Sequence, residues 1–421
     1  MELHPMLDTE TSANPNLWYV LATSGESPTM RVGHTCTYMK GKEDSGKEDA
    51  GKLYVIGGAN PSGMFADTYV LDLNSLQWDT IDAAGLRARY EHVAFCAESL
   101  PGKIFIFGGA DQSGNMNEVQ CLDTSNNSWS TVAVSGTAPA PRTFHTTAVV
   151  KDKLIVYSGG HSGADPVGDR QVHSYDVSTS TWSVLSLRGD SPKPRHGHVM
   201  VAIGNRVFVH GGMAGSSFYD DLHVLDLDKN AWSNVKRKKM CPSARAGHSG
   251  VAEGTDLYIF GGMNRDGALD DMYKLNTVSM VWTKVELQGP PPPSRLDFGM
   301  CIINLFRSQN PNQEMSTDIA ATSKKAQEVL DTELKPGSAS SRDSRQDSGP
   351  DLASIGTDLE LAGAESLESL GEKSEGDNSK DPAKQAPAAD KKKLTLCLVN
   401  GGMDTEGEIF DDTLVILLQG S

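Results

Sequence analysis

The sequence predicts an all-β protein built as a six-bladed propeller, and three observations carry that prediction. A glycine pair closes a short apolar run six times, at Gly57-Gly58, Gly108-Gly109, Gly159-Gly160, Gly211-Gly212, Gly261-Gly262 and Gly401-Gly402. The first five pairs follow one another at intervals of 51, 51, 52 and 50 residues. A tryptophan recurs in step with them, at Trp78, Trp129, Trp182, Trp232 and Trp282. A period near fifty residues, with several short apolar strands in each unit, marks a closed array of small β-sheets.

Each unit is legible from end to end. An arginine opens it, with histidine three residues later in five copies: Arg31/His34, Arg89/His92, Arg142/His145, Arg195/His198 and Arg245/His248. The sixth copy has Arg295 and Phe298. A short apolar strand follows, then a second strand that ends in the glycine pair, such as Leu53-Tyr54-Val55-Ile56. An acidic loop leads to a third strand of the type Val70-Leu71-Asp72-Leu73, and the tryptophan marks the fourth. Four strands of this length fit one blade. The glycines let the chain leave the second strand through a backbone conformation that other residues resist. The tryptophan offers a large apolar contact to a neighbouring blade.

The ends of the chain predict how the ring closes. Trp18 precedes Arg31 by 13 residues, the usual tryptophan-to-arginine interval, yet no earlier blade owns it. The second glycine normally precedes its tryptophan by 20 residues, which from Gly402 points just past Ser421. The sixth blade is therefore expected to take three strands from the C-terminal segment and its fourth from the N-terminal one. That arrangement leaves no open sheet edge at the junction. The expected organisation is a flexible N-terminus (1–15), a ring (16–304 plus 394–421) and an acidic, low-complexity disordered insertion (305–393).

The double glycine, the spaced Tyr/Asp positions and the tryptophan resemble the kelch repeat, over about four fifths of the chain. Particular segments extend the resemblance: Arg89-Tyr90-Glu91-His92, Pro194-Arg195-His196-Gly197-His198, Phe218-Tyr219-Asp220-Asp221-Leu222-His223 and Gly401-Gly402-Met403-Asp404 through Asp412. They resemble kelch proteins that act as effectors of a late-endosomal Rab GTPase. The resemblance implies a partner, a Rab-family GTPase in its GTP-bound state, and a role in endosome to trans-Golgi network transport. It implies a cytoplasmic protein that reaches endosomal or trans-Golgi membranes only through partners.

Composition narrows the function further. The net charge is −17, with −5 in the 305–393 segment and −12 elsewhere, so the ring itself is acidic. An acidic ring is a poor binder of nucleic acid or anionic lipid. The six cysteines (36, 96, 121, 241, 301, 397) are scattered and fit buried thiols in a reducing compartment. Neither a signal peptide nor an apolar stretch of spanning length is visible. No phosphate-binding glycine loop is present, so the chain is not expected to bind nucleotide itself. The 305–393 segment has no aromatic after Phe306 and lacks the apolar surface to offset its ordering entropy. A smaller insertion at 39–52 occupies the same loop of the first blade.

A feature that obeys the ring symmetry is expected to be scaffold, which covers the Arg…His pairs. Function is expected where symmetry breaks, in the loops after the glycine pairs and in those that join one blade to the next. Asp165, Asp169 and His173 have a metal-like spacing, but Asp169 falls nine residues after its glycine pair, the acidic position that Asp67, Glu118, Asp221, Asp271 and Asp411 take in the other repeats. No catalytic, cofactor or metal site is therefore assigned. Candidate protein-binding residues are the basic run Lys236, Arg237, Lys238 and Lys239, the acidic pairs Asp220-Asp221, Asp270-Asp271 and Asp411-Asp412, and the aromatics Phe65, Phe218, Tyr219 and Phe410. Ser369 and Ser374 lie in acidic surroundings that suit a regulatory kinase. Two other readings compete with a Rab effector: a kelch scaffold or substrate receptor for a ubiquitin ligase, and a metal-dependent kelch enzyme.

Overall fold

The computed structural model describes residues 4–41, 48–143, 148–163, 165–236, 240–308 and 391–418. Its described residues hold no helix; their strands form six antiparallel four-stranded sheets, each ordered first, second, third and fourth strand from one edge to the other. In the first blade these are Thr35–Met39, Lys52–Ile56, Thr68–Asp72 and Gln77–Thr80. The next four blades repeat the pattern, for example with Val199–Ile203, Arg206–His210, Leu222–Asp226 and Ala231–Val235 in the fourth. At five of the six junctions the first strands of adjacent blades touch, so they line the axis of a six-bladed propeller.

Strand periodicity explains why no blade is stable alone. In Lys52–Ile56, Leu53 and Val55 enter one apolar cluster while Tyr54 and Ile56 enter another. Successive side chains of a strand point to opposite faces, so each sheet is a layer between two cores. The tryptophans close these interfaces. Phe107 packs on Trp182, Tyr157 on Trp232, His210 on Trp282 and Phe260 on Trp18, with ring centroids 4.8, 5.3, 5.2 and 5.1 Å apart. In each case the last residue of one blade's second strand meets the tryptophan of the following blade. Such a pair contributes about 1 kcal/mol beyond its buried area.

The sixth blade closes as the spacing predicts. Trp18–Leu21 pairs antiparallel with Thr413–Leu417, aligning Trp18 with Ile416, and it forms the outer strand beyond Lys391–Asn400 and Gly299–Ser308. The first two strands of this blade are ten residues each and stay paired from Gly299/Asn400 to Ser308/Lys391. They claim residues 305–308 and 391–393 from the segment assigned above to the insertion. Burial is the reason: Leu305 and Leu394 are 2% and 7% exposed and pack into the first-blade cluster. Residues 309–390, including Ser369 and Ser374, lie outside the described part, as do residues 42–47 within the smaller insertion.

The N-terminal segment also differs from the flexible tail expected for residues 1–15. Met6–Leu7 runs parallel to Val20 and Leu21, and Leu7 is fully buried. Leu7 anchors it together with backbone bonds from Val20 and Ala22 and the bond from Asn14 N to the Tyr19 hydroxyl at 2.8 Å. Short linkers cover other outer edges in the same parallel way, with Ser24–Gly25 beside Gln77 and Trp78, and Ser135–Gly136 beside Thr181 and Trp182. Covered edges do not recruit foreign strands.

Candidate functional site: the loop face and the axial cavity

Six buried arginines organise the face that carries the glycine-pair loops. Arg31, Arg89, Arg142, Arg195, Arg245 and Arg295 are each at most 1% exposed. Arg245 Nη1 donates to the Gly261 carbonyl at 3.0 Å and to Asp271 at 2.7 Å, and its Nε donates to the Ser243 carbonyl. The corresponding acids are Asp67, Glu118, Asp169, Asp221 and Asp412. A buried guanidinium needs such a complete set of acceptors. Burial raises the Asp221 carboxyl, but hydrogen bonds from Arg195 and His223 outweigh it and hold the group well below its ordinary range.

The histidines and glycine pairs form the second half of this scaffold. A Cβ on Gly57, Gly211 or Gly401 would press on the imidazole Cε1 of the following blade, at 3.1, 2.7 and 2.8 Å from His92, His248 and His34. A Cβ on the second glycine would meet the blade's own histidine: Gly58 with His34 Cβ and Gly212 with His198 Cβ, both at 2.8 Å. These glycines also lie at positive φ, from 60° to 97° in the first blade. The Arg…His motif and the glycine pair are thus one interblade joint. His145 lies outside the described residues.

Two details correct the sequence register. In the third blade Ser158, at φ 58°, takes the place of the first glycine, and Arg142 donates to its carbonyl at 2.9 Å. The hydroxyl of Ser158 compensates by donating to the Arg195 carbonyl and accepting from the Arg195 amide. In the sixth blade the acid that meets Arg295 is Asp412, not Asp411, because this loop is one residue longer.

The predicted binding residues separate into two groups. Phe65, Tyr219 and Phe410 lie over the guanidinium groups of Arg31, Arg195 and Arg295, each ring centroid 4.4 Å from Cζ. They occupy equivalent loop positions and act as lids on buried cations. Asp221, Asp271 and Asp412 belong to the arginine network. Asp270 and Asp411, by contrast, are exposed, and Asp220 is half-buried. All three precede the arginine-bound acid in the consecutive fourth, fifth and sixth blades, where the first three blades have Ala66, Asn117 and Gly168. They form an acidic arc on the rim. Phe218 is half-buried in a two-strand hairpin, opposite Met213. Lys236 shares a small cavity of about 100 Å³ with Asp220, Cys241 and Trp282, whereas Arg237, Lys238 and Lys239 lie outside the described residues.

The metal-like spacing is absorbed by the same network. His173 Nε2 and Asp169 Oδ2 are 2.9 Å apart, and Arg142 reaches the same oxygen at 3.4 Å. Asp165 sits exposed on a separate hairpin. Among the described residues no group of three or more His, Cys, Asp or Glu is arranged to hold a metal, and none of the six cysteines forms a disulfide.

One feature of this face escaped the sequence reading. In the five blades where it is described, the residue two after the opening arginine joins a hydrogen-bonded belt beside the axis. Gly247 N donates to Gly197 O, Asp297 N to Gly247 O, Gly33 N to Asp297 O and Glu91 N to Gly33 O, at 2.6–3.0 Å. Below the belt lies an axial cavity of about 240 Å³, lined by these residues and the start of the first strand in the first, second, fourth, fifth and sixth blades. Aligning the repeats would have revealed the signal, since glycine fills this position in three blades and an acid in two.

Comparison with known proteins places this architecture. The Kelch-repeats domain described for KLHDC2, KLHL20 and DRC7 matches residues 46–262 and 168–306. The chain belongs to this kelch-repeat family. It is 42% identical over 419 residues to the mouse "Rab9 effector protein with kelch motifs", covering 99% of this chain and 98% of that protein. The Xenopus laevis protein of the same name is 48% identical over 223 residues, 53% of this chain, and the bovine one 46% over 223 residues. These last two alignments span 60% and 59% of the relatives' own lengths. The kelch ring thus has relatives that match it along the whole chain and others matched over about half.

Proposed function

We propose that this kelch ring is a non-enzymatic protein-binding module that recognises a Rab GTPase of the Rab9 type. The observation that carries the reading is the 42% identity that runs over 99% of the chain and 98% of a relative named as a Rab9 effector. The geometry is compatible with it. The conspicuous polar residues of the repeat are consumed by the scaffold, while the loops that differ between blades ride on that rigid frame. Such a frame suits partner recognition. The acidic arc of Asp220, Asp270 and Asp411, with Lys236 sharing a small cavity with Asp220, sets the fourth to sixth blades apart from the first three, which have Ala66, Asn117 and Gly168 at the arc position.

The finer reading is recognition of the GTP-bound form. A Rab orders its switch segments only around the γ-phosphate, and an effector works through its differential affinity for the two states. In a cell the protein would then be cytoplasmic, recruited to endosomal or trans-Golgi membranes by its GTPase, and would act in endosome to trans-Golgi network transport. The test is capture of a panel of purified Rab GTPases, each loaded with a GTP analogue or GDP. Selective retention of GTP-loaded Rab9 is the expected result. Retention that ignores the nucleotide, or is absent for every Rab, would remove the reading.

A further inference from the structure

The axial belt carries side chains that the scaffold does not need. Its positions are Gly33, Glu91, Gly197, Gly247 and Asp297 in the first, second, fourth, fifth and sixth blades, and the third-blade residue Phe144 lies outside the described part. Glu91 and Asp297 adopt φ of 55° and 53°, a conformation that disfavours side chains and that glycine takes at Gly33, Gly197 and Gly247. Each acid leans over the glycine of the preceding blade. A Cβ on Gly33 would lie 3.2 Å from Glu91 Cγ, and one on Gly247 would lie 3.1 Å from Asp297 Oδ1. Both carboxyls line the same axial cavity of about 240 Å³.

No ion pair reaches either acid among the described residues. Burial pushes the Glu91 carboxyl up to about 9, with the nearby Asp297 adding to the effect, and burial pushes Asp297 up to about 7. Among the described residues the other titratable groups in the wall are His34, Cys36, His92, His198 and His248. Burial, and after it Arg31, depresses His34 to about 3. Burial, His210 and Arg245 depress His248, and burial lifts the Cys36 thiol to about 12. None of these three supplies positive charge at neutral pH. His248 is 3% exposed, and its Nδ1 has no hydrogen-bond partner among the described residues. The described wall thus sets two carboxyls beside groups of which His34, Cys36 and His248 carry no positive charge at neutral pH. Both acids are half-buried; carboxyls withdrawn from water without a counter-ion weaken a fold, and three sister blades do without them.

We propose that the axial cavity binds a monocation of the alkylammonium or guanidinium class, held between Glu91 and Asp297 from either side of the first blade. A bound cation favours the ionised form of both carboxyls, and a guanidinium matches carboxylates through parallel hydrogen bonds. It comes either as a free small molecule or as an arginine or lysine side chain of a protein entering from the loop face. The inference does not depend on the identity of the Rab partner.

The test is isothermal titration of the full chain at pH 7.5 with methylguanidinium, with the blocked tripeptide Gly-Arg-Gly and with the neutral N-methylurea. Saturable binding of the cations and none of N-methylurea is expected. Binding should release protons, so the measured heats should differ between phosphate and Tris buffers. Glu91→Gly and Asp297→Gly, which install the residue of the sister blades and so preserve the fold, should each weaken binding by roughly ten-fold or more. A tripeptide that binds much more tightly than methylguanidinium points to a protein side chain, and equal affinities point to a free cation. Absence of saturable cation binding, equal binding of N-methylurea, or affinity unchanged in both glycine variants would overturn the proposal.

Discussion

Replacing Trp18 by alanine tests whether the N-terminal strand is a working part of the ring. Trp18 is 0% exposed and packs on Phe260, Phe298, Leu414 and Ile416 in one apolar cluster. A buried tryptophan removes about 200 Å² from water, which at ~25 cal/mol per Å² gives an upper figure near 5 kcal/mol. Alanine retains part of that burial, so the expected loss is about 4 kcal/mol, within the range measured for such truncations. A ring of roughly 340 residues has an unfolding entropy of about 0.7 kcal/mol/K, so the midpoint should fall by about 6 °C. Far-UV circular dichroism during thermal and urea unfolding reads both quantities without relying on tryptophan fluorescence. Trp129→Ala, at the same position of the second blade and 6% exposed, is the internal standard and should lose a similar amount. A loss below about 1 kcal/mol for Trp18→Ala beside a full loss for Trp129→Ala would refute closure by this strand.

Three further outcomes follow from the interblade joint. Gly262→Ala places a Cβ 2.7 Å from the Ala246 carbonyl oxygen at φ 86°, whereas Gly63→Ala has nothing within 4 Å. Urea unfolding should therefore show a loss of about 3 kcal/mol for the first and about 1 kcal/mol for the second. Asp412→Ala strands the buried Arg295 and should cost about 3 kcal/mol, while Asp411→Ala should change stability by less than about 0.5 kcal/mol. The reverse order in thermal unfolding would restore the register read from sequence. His210 is fully buried, its Nδ1 lies 3.0 Å from His248 Nε2, and burial followed by Arg245 depresses it to about 3. The unfolded chain protonates this group near pH 6.5, so its contribution is complete above that pH and fades as the pH falls toward 3. The loss is about 2 kcal/mol at pH 5. His210→Phe, which copies Phe107 and Phe260, should flatten the stability profile between pH 7.5 and pH 5, and an unchanged slope would contradict the assignment.

The repeat made most of the ring legible because symmetry multiplies each signal. A single glycine pair or tryptophan is weak evidence, whereas six in register fix strand order, blade number and even the borrowed strand at Trp18. The same symmetry explains what was missed. Ser158 substitutes for a glycine by using its hydroxyl on Arg195, a compensation invisible to a search for glycines. Asp412 displaces Asp411 because one extra loop residue shifts the register. Phe65, Tyr219 and Phe410 looked like exposed anchors because aromatic side chains in loops carry no mark of the buried cation beneath them. Glu91 and Asp297 were hidden for another reason. Their meaning depends on the glycines at Gly33 and Gly247 in other blades, and only the closed ring brings those residues together.

Hydrogen exchange of the full chain, alone and with Rab9 loaded with a GTP analogue or with GDP, tests the central claim most directly. Added protection is expected in the loops at 213–219, 263–269 and 403–410, present with the GTP analogue and absent with GDP. Protection that is the same for both nucleotides, or that appears only on the outer strands around Gln77–Thr80 and Ser128–Thr131, would contradict recognition through the loop face.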